Sequence, residues 1–417
     1  MTDKMIPDIS VIVTVYNIEK YISECLESIL SQKGPTLECI CVDDASTDGS
    51  LEILNKYALK DYRIKIIQNQ KNMGLSSSRN IGFRNAMGKY LYNIDGDDFL
   101  EVGALERLFS CAEKNKLDLL GFSATSFFES EKMKQFGKED EYVRGKIYPQ
   151  VMTGAELFAE LIRNNDRASS NMVLYFYRRK YFESNNLYGV EKLRYADDSM
   201  FAMYMAAQRA MCIPDRLYMR RYREGSTCTS KMKKYYMESL IVLFIKELQV
   251  WEKYNFDNEL NSTIEKYFNT RLISIKAMYK KFHKDNTDTP LLNKNIMAKY
   301  FYKYFIAGEL LYRNFLTTEE FSKLKNVNTI VLYGAGCIAN EVAKVLEYND
   351  ILQYIVVVTD KGTEHNKFRG KEIVNINDLK CDKKNAVVIV AMSKNNYDAV
   401  TAVLDQLGYH NVIWASL

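Results

Sequence analysis

From residue 9 to residue 98 the chain alternates β-branched runs with amphipathic ones, and three of the apolar runs stop at a polar cluster. Residues 9–15 read as a strand, and 19–32 show helical spacing through Tyr21, Ile22, Cys25, Leu26 and Ile29. Residues 37–42 form a second strand, and a helix follows from Asp48-Gly49-Ser50 to about Tyr57, with Asp48 placed to cap it. Residues 64–68, 76–87 and 90–94 continue the pattern as strand, helix and strand. Such alternation predicts an α/β fold with a parallel sheet covered on both faces. In an open sheet of this kind ligands sit beyond the carboxyl ends of the strands. Thr14-Val15-Tyr16-Asn17, Asp43-Asp44-Ala45-Ser46 and Asp95-Gly96-Asp97-Asp98 all fall there.

The last of these clusters carries the most chemistry. Three carboxylates in four positions repel one another unless a cation or a set of donors sits among them, and their oxygens suit a hard divalent ion. In extended chain, residues two apart share a face, so Asp95 and Asp97 can reach one ion while Gly96 leaves room for a ligand. The competing reading is a solvated acidic turn. Whether Asp97 or Asp98 is the main second ligand is open at this level.

At 417 residues the chain exceeds one ordinary domain. After about residue 231 it changes to Lys- and Tyr-rich helical periodicity (240–251, 264–282, 296–315), then returns to strand and helix alternation from 328. The expected division is 1–230, a helical middle section 231–325, and a small α/β domain 326–417. A net charge of +4 gives no nucleic-acid footprint. Eight scattered cysteines without ligand spacing fit a reduced cytosol. With no apolar run near ~18 residues, the expectation is a cytoplasmic protein, at most peripheral at the inner face of the plasma membrane. The aromatic stripe Tyr300, Phe301, Tyr304, Phe305, Leu311 and Tyr312 would serve such peripheral contact, or core or homo-oligomer contacts within 231–417.

Taken together, Val13-Thr14-Val15-Tyr16-Asn17, the run Val42-Asp43-Asp44-Ala45-Ser46-Thr47-Asp48-Gly49-Ser50, the run Gly74-Leu75-Ser76-Ser77-Ser78-Arg79-Asn80-Ile81-Gly82, and Asp95-Gly96-Asp97-Asp98 resemble glycosyltransferase family 2, in its bacterial capsule and cell-surface branch. The resemblance covers roughly the first 230 residues. It implies a GT-A fold and an inverting, Mn²⁺- or Mg²⁺-dependent transfer from a UDP- or dTDP-sugar to a glycan, lipid-linked or protein-linked acceptor. It assigns Thr14, Tyr16, Asn17 and Asp44 to the donor's nucleoside end. An ionised Asp is acceptor-only, which suits the imide of uracil or thymine; Asp43 is read as structural. Arg79 would hold a phosphate or brace the carboxylates, and Asp95 and Asp97 would hold metal and donor.

Tyr195-Ala196-Asp197-Asp198-Ser199-Met200-Phe201 looks like the family's Glu-Asp-x-x-Phe motif, with Asp197 for the Glu, and puts Asp198 at the general-base position. Asp197 and Asp198 could instead complement a helix dipole. Of Arg220, Arg221, Arg223 and Ser226, the choices for phosphate contact are Arg221 and Ser226. Gly334-Ala335-Gly336 follows a strand and opens a helix, with Asp360 downstream, and the tail resembles small Rossmann-like modules. A scaffolding role is favoured there over cofactor binding. The alternatives are a catalytically weak nucleotide-sugar-binding or assembly subunit, and a bifunctional enzyme whose tail binds NAD(P).

Overall fold

The computed structural model describes residues 6–144, 148–164, 171–191, 193, 200–226, 228–229, 234–285, 323–324, 327–348, 351–359, 367–392 and 396–415. The chain divides into two compact units. One comprises Met1–Ile264 with Met278–Leu291, the other Glu265–Ala277 with Leu292–Leu417.

In the first unit β1 (Ile9–Val15), α1 (Ile22–Leu30), β2 (Leu37–Asp43), α2 (Ser50–Ala58), β3 (Ile64–Gln68), α3 (Leu75–Asn85) and β4 (Tyr90–Asp95) follow the order that the alternation predicts. All seven residues of β1 and of β2 are buried, as strands covered on both faces require. Helix α1 buries Ile22, Cys25, Leu26 and Ile29, a single stripe at helical spacing. The cap of helix α2 falls one residue later than expected: Gly49 caps it, while Asp48 Oδ1 accepts from the Ser50 amide at 3.0 Å. The first four strands pair in parallel, β3-β2-β1-β4.

Beyond β4 the sheet becomes mixed, which the alternation did not announce. It continues through β5 (Phe99–Leu100), α4 (Ala104–Asn115), β6 (Leu119–Phe128), β7 (Tyr148–Met152), α5 (Gly154–Arg163), β8 (Tyr175–Arg178), α6 (Arg179–Ser184), α7 (Met200–Ala206) and β9 (Ala210–Tyr222). Strand β8 lies antiparallel between β4 and β6, with Tyr90 and Phe176 stacked at 5.0 Å. Strand β9 accommodates the exposed Pro214 where its register with β6 shifts, a position that needs no ladder donor. It then carries Tyr218, Arg220 and Arg221 back beside β5, in which Phe99 faces Met219.

Helices α8 (Lys234–Trp251) and α9 (Asn258–Asp285) realise two of the three expected middle helices; 296–315, with its aromatic stripe, lies outside the described residues. No described helix is long and apolar enough to cross a membrane.

The second unit holds a six-stranded sheet, β12-β13-β11-β10-β14-β15, from β10 (Ile330–Tyr333), β11 (Tyr354–Val358), β12 (Lys367–Phe368), β13 (Lys371–Asn375), β14 (Val387–Val390) and β15 (Val412–Trp414), parallel except at β12. Gly334 has a packing reason to be glycine: its φ is +120°, and a Cβ there would lie 2.9 Å from the Ala391 carbonyl oxygen. Asp360 lies outside the described residues.

One glycine tests how tightly the first unit is layered. A Cβ on Gly82 of α3 would meet Ile12 Cγ2 of β1 at 2.3 Å. Helix propensity favours Ala over Gly by about 0.5–1 kcal/mol, whereas overpacking costs about 1–3 kcal/mol. Gly82→Ala is therefore expected to lower the melting temperature by several degrees in calorimetry; an unchanged or raised value would contradict this layering.

Candidate donor and metal site

The strand register brings the polar clusters to one edge. Val15 pairs with Asp43, Asp43 with Gln68, and Thr14 with Asp95. The turns just past these ends are shaped by non-glycine residues in the left-handed region, Asn17 at φ 50° and Ala45 at φ 61°. Such conformations persist when surrounding structure fixes them. Asn17 shows how: its Oδ1 accepts from the Thr47 amide at 2.8 Å and its own N–H donates to Ser46 Oγ at 3.1 Å. The Asn17 side chain is thus occupied in bracing the β1 and β2 turns, a loop role where ligand contact was expected. Tyr16, by contrast, is 47% exposed, and Thr14 is buried at the strand end.

Asp43 and Asp44 exchange the emphasis expected of them. Asp44 accepts from Asn69 Nδ2 at 2.8 Å and from the Met73 and Gly74 amides at 2.7 and 2.9 Å, anchoring the turn into α3. Asp43 receives only long contacts from the Ser46 amide, at 3.3 and 3.4 Å. A carboxylate has about four lone-pair sites, so Asp44 keeps one for a ligand while doing structural work that the sequence assigned to Asp43.

Arg79, 4% exposed on α3, donates from Nη2 to Asp95 Oδ1 at 2.7 Å. Asp97 Oδ2 accepts from Arg223 Nε at 2.8 Å. Asp98 is buried and doubly bonded: Tyr218 donates its hydroxyl to Oδ2 at 2.5 Å and the Arg221 amide donates to Oδ1 at 2.6 Å. Burial, then the neighbouring charges of Asp97 and Asp95, push the Asp98 carboxyl well above the usual carboxylate range. Burial also raises Asp97, which Arg223 pulls back. The three acids therefore divide. Asp98 is a strut joining this turn to β9, while Asp95 and Asp97 each have one oxygen on an arginine; among the described residues no side chain donates to the second oxygen of either.

Those two remaining oxygens fit a hard divalent ion. Among the described residues no three His, Cys, Asp or Glu side chains converge into a closed cage, and Mg²⁺-type ions ordinarily take one or two carboxylates and complete their shell with phosphate and water. Gly96 does not leave the room expected for a ligand: a Cβ there would strike Ile18 Cδ1 at 2.5 Å and the Thr14 carbonyl at 2.9 Å. Its small size serves close backbone approach.

The basic strand needs one correction. Arg221 was the choice for phosphate contact, but its guanidinium is paired with Glu24, bonded through Nε to the Asp97 carbonyl at 2.8 Å, and stacked within 4.5 Å of Phe127 and 5.0 Å of Tyr21. It is spent on locking β9 to α1 and the acidic turn. Arg223, which among the described residues pairs with the Asp97 carboxylate alone, is the better-placed cation. Ser226 shares a hydroxyl contact with Thr229 at 3.1 Å, in a turn closed on Arg223 by Thr229 Oγ1. Asp198, with Ala196 and Asp197, lies outside the described residues; helix α7 begins just after it, at Met200.

Residues 10–185 match the family model described as glycosyl transferase family 2. A Bacillus subtilis protein, EpsJ, described as an uncharacterized glycosyltransferase, is 37% identical over 225 residues, 53% of this chain and 62% of its own length. Glycosyltransferase GlyA of Streptococcus pneumoniae is 31% identical over 52% of this chain and 31% of its own length. This chain thus spans less than two thirds of either relative. Among solved structures, S. aureus TarS 1–349 in complex with UDP-GlcNAc superposes with a TM-score of 0.52 at 26% identity, covering 64% of this chain and 73% of that one. The crystal structure of S. aureus TarS 1–349 gives 0.53 at 20% identity, covering 88% of this chain and 98% of that one, a likeness of fold.

Removing the Tyr218 hydroxyl leaves a buried carboxylate short of a donor, at a cost of about 1–3 kcal/mol. Tyr218→Phe is expected to lower the midpoint of urea unfolding accordingly; a wild-type midpoint would show that Asp98 does not depend on it.

Proposed function

We propose that the chain, whose residues 10–185 are a glycosyltransferase family 2 domain, transfers a sugar with inversion from a UDP- or dTDP-sugar to a hydroxyl of a glycan, lipid-linked or protein-linked acceptor in bacterial surface polysaccharide or glycoconjugate synthesis. The observation that carries this reading is the pair Asp95 and Asp97, each balanced by one arginine and each with one oxygen that no other described side chain bonds, at the sheet edge that also holds Thr14, Tyr16 and Asp44. The likeness to TarS in complex with UDP-GlcNAc supports a uridine diphosphate donor.

In this reading the exposed ring of Tyr16 flanks the base, and the last acceptor site of Asp44 takes the imide N–H. Asp95 and Asp97 hold Mn²⁺ or Mg²⁺, which when bound neutralises the donor diphosphate and the charge that grows on it as the sugar departs. Arg223 and Ser226 add donors to the leaving diphosphate. Asp198 accepts the acceptor hydroxyl's proton as that oxygen attacks the anomeric carbon from the face opposite the diphosphate. Arg79 holds Asp95 at a fixed place throughout, because a misplaced ligand oxygen would move the donor with it.

A purified sample is expected to hydrolyse or transfer from at least one member of a panel of UDP- and dTDP-sugars with Mn²⁺. Asp198→Asn should lose turnover by about 10²–10⁴-fold, the range for removing a general base, while UDP still raises the melting temperature. A flat panel together with no nucleotide-dependent stabilisation would reject transfer. Turnover retained in Asp198→Asn would reject the assignment of the base.

Asp97→Asn and Arg223→Ala separate the two charges that meet at the acidic turn. The first is expected to abolish the stabilisation that Mn²⁺ adds to UDP in a thermal-shift titration. The second should leave UDP binding measurable but weaken it about threefold to thirtyfold, the value of one charge-assisted contact. Equal stabilisation of wild type and Asp97→Asn by Mn²⁺ with UDP would exclude Asp97 as a ligand.

A further inference from the structure

Of the arginines in β9 and just after it, Arg216 pairs with Asp140, Arg221 with Glu24 and Arg223 with Asp97. Arg220 has no carboxylate partner among the described residues. Its Nη1 is buried without a hydrogen bond, and its Nη2 donates to the Cys228 sulfur at 3.1 Å. An uncharged thiol is a weak acceptor and balances no cation. The guanidinium carbon lies 4.5 Å from the ring centre of Tyr142 and 5.0 Å from that of Tyr222. Ring faces attract a cation but leave its charge uncancelled.

A second unsatisfied group stands beside it. Ser126 of β6 is 1% exposed, its hydroxyl has no hydrogen-bond partner among the described residues, and it pairs with Arg220 across the β6–β9 ladder. Partners across a parallel ladder project to the same face, on strands about 4.8 Å apart. A guanidinium nitrogen and a hydroxyl, both buried and both unbonded, therefore sit on adjacent strands. Buried polar groups are nearly always bonded, and a buried charge left without a counter-charge is strongly unfavourable. An oxyanion satisfies both groups at once: a guanidinium binds carboxylate or phosphate through parallel N–H bonds, and the hydroxyl adds one donor more.

Side chains alternate along a strand, so Arg220 shares its face of β9 with Tyr218, whose hydroxyl bonds Asp98, and projects opposite Arg221. It adjoins the acidic turn without sharing Asp97, which takes Arg221 through its carbonyl and Arg223 through its carboxylate. Cys228 is an exposed residue, so the approach to Nη2 from solvent lies at the thiol. We infer that Arg220 and Ser126 form an oxyanion subsite, separate from the place of the donor diphosphate, for a carboxylate or phosphate group carried by a substrate, which displaces the Cys228 thiol from Nη2. Binding of the anion needs neither a divalent ion nor Asp198. Its consequence for substrate choice, an acidic sugar or a phosphate-bearing acceptor over a neutral one, rests on the transfer reading.

The test follows the melting temperature of the full chain in EDTA, without nucleotide, as sodium glucuronate or inorganic phosphate replaces sodium chloride at constant ionic strength; glucose is the uncharged control. Wild type is expected to show a saturable rise with at least one of the two anions, since a ligand of the folded state stabilises it by mass action, and none with glucose. Arg220→Gln should shift half-saturation at least about tenfold, the value of a charge-assisted contact, and Ser126→Ala about two- to tenfold, that of a neutral one. Arg223→Ala should titrate like wild type. A tighter response to glucuronate assigns the subsite to a sugar carboxylate, a tighter response to phosphate assigns it to a phosphate-bearing acceptor. No saturable rise in wild type overturns the inference, as does a rise that Arg220→Gln retains in full or that Arg223→Ala alone removes. Should Arg220→Gln not fold, Ser126→Ala decides, because it deletes a single hydroxyl: half-saturation unchanged from wild type overturns the inference. No nucleotide sugar enters this titration, so an inactive donor panel would reject transfer and leave the anion result standing.

Discussion

The first unit depends on how three crowded carboxylates are kept apart in charge. An isolated buried carboxylate costs several kcal/mol in desolvation alone, and removing one partner of a buried pair leaves that cost uncompensated. The chain meets this with three different partners. Arg79 takes Asp95, Arg223 takes Asp97, and Asp98 gives up exposure for the Tyr218 hydroxyl and a backbone amide. The partners come from α3, from the segment after β9 and from β9 itself. Satisfying the acids thereby draws separate parts of the sequence onto one turn.

In the proposed reading, that solution also suits a bound ion. Asp95 and Asp97 each spend one oxygen on an arginine, so charge is balanced while a coordinating atom is left on both. Arg221, held against Glu24, Phe127 and Tyr21, is part of the frame beside Arg223. Arg221 is tied to two acceptors and lies over three aromatic rings, whereas Arg223 lies over Tyr21 alone and is bonded to one carboxylate.

The parallel half was legible because its residues obey one period at a time. Residues 9–15 can only be a doubly buried strand, and Ile22, Cys25, Leu26 and Ile29 can only be one face of a helix. The mixed half was not. Strand β8 is four residues long, and β9 contains a proline tolerated only at its register shift, so neither announces itself by alternation. Within the site, the motifs did not show which neighbours each side chain would contact. Asp44 against Asp43, Arg223 against Arg221, and Asn17 as a brace are decided by which neighbour each side chain reaches across the sheet edge, over separations of about thirty residues for Asn17 and more than a hundred for Arg223.

If Asp95 and Asp97 together hold a divalent ion that grips a uridine diphosphate, the ion must tighten nucleotide binding. Calorimetric titration of UDP into the protein, once in EDTA and once in saturating Mn²⁺, tests it most directly. The account predicts affinity at least about tenfold tighter with the ion, a difference of about 1.4 kcal/mol. Equal affinities in the two titrations would contradict it.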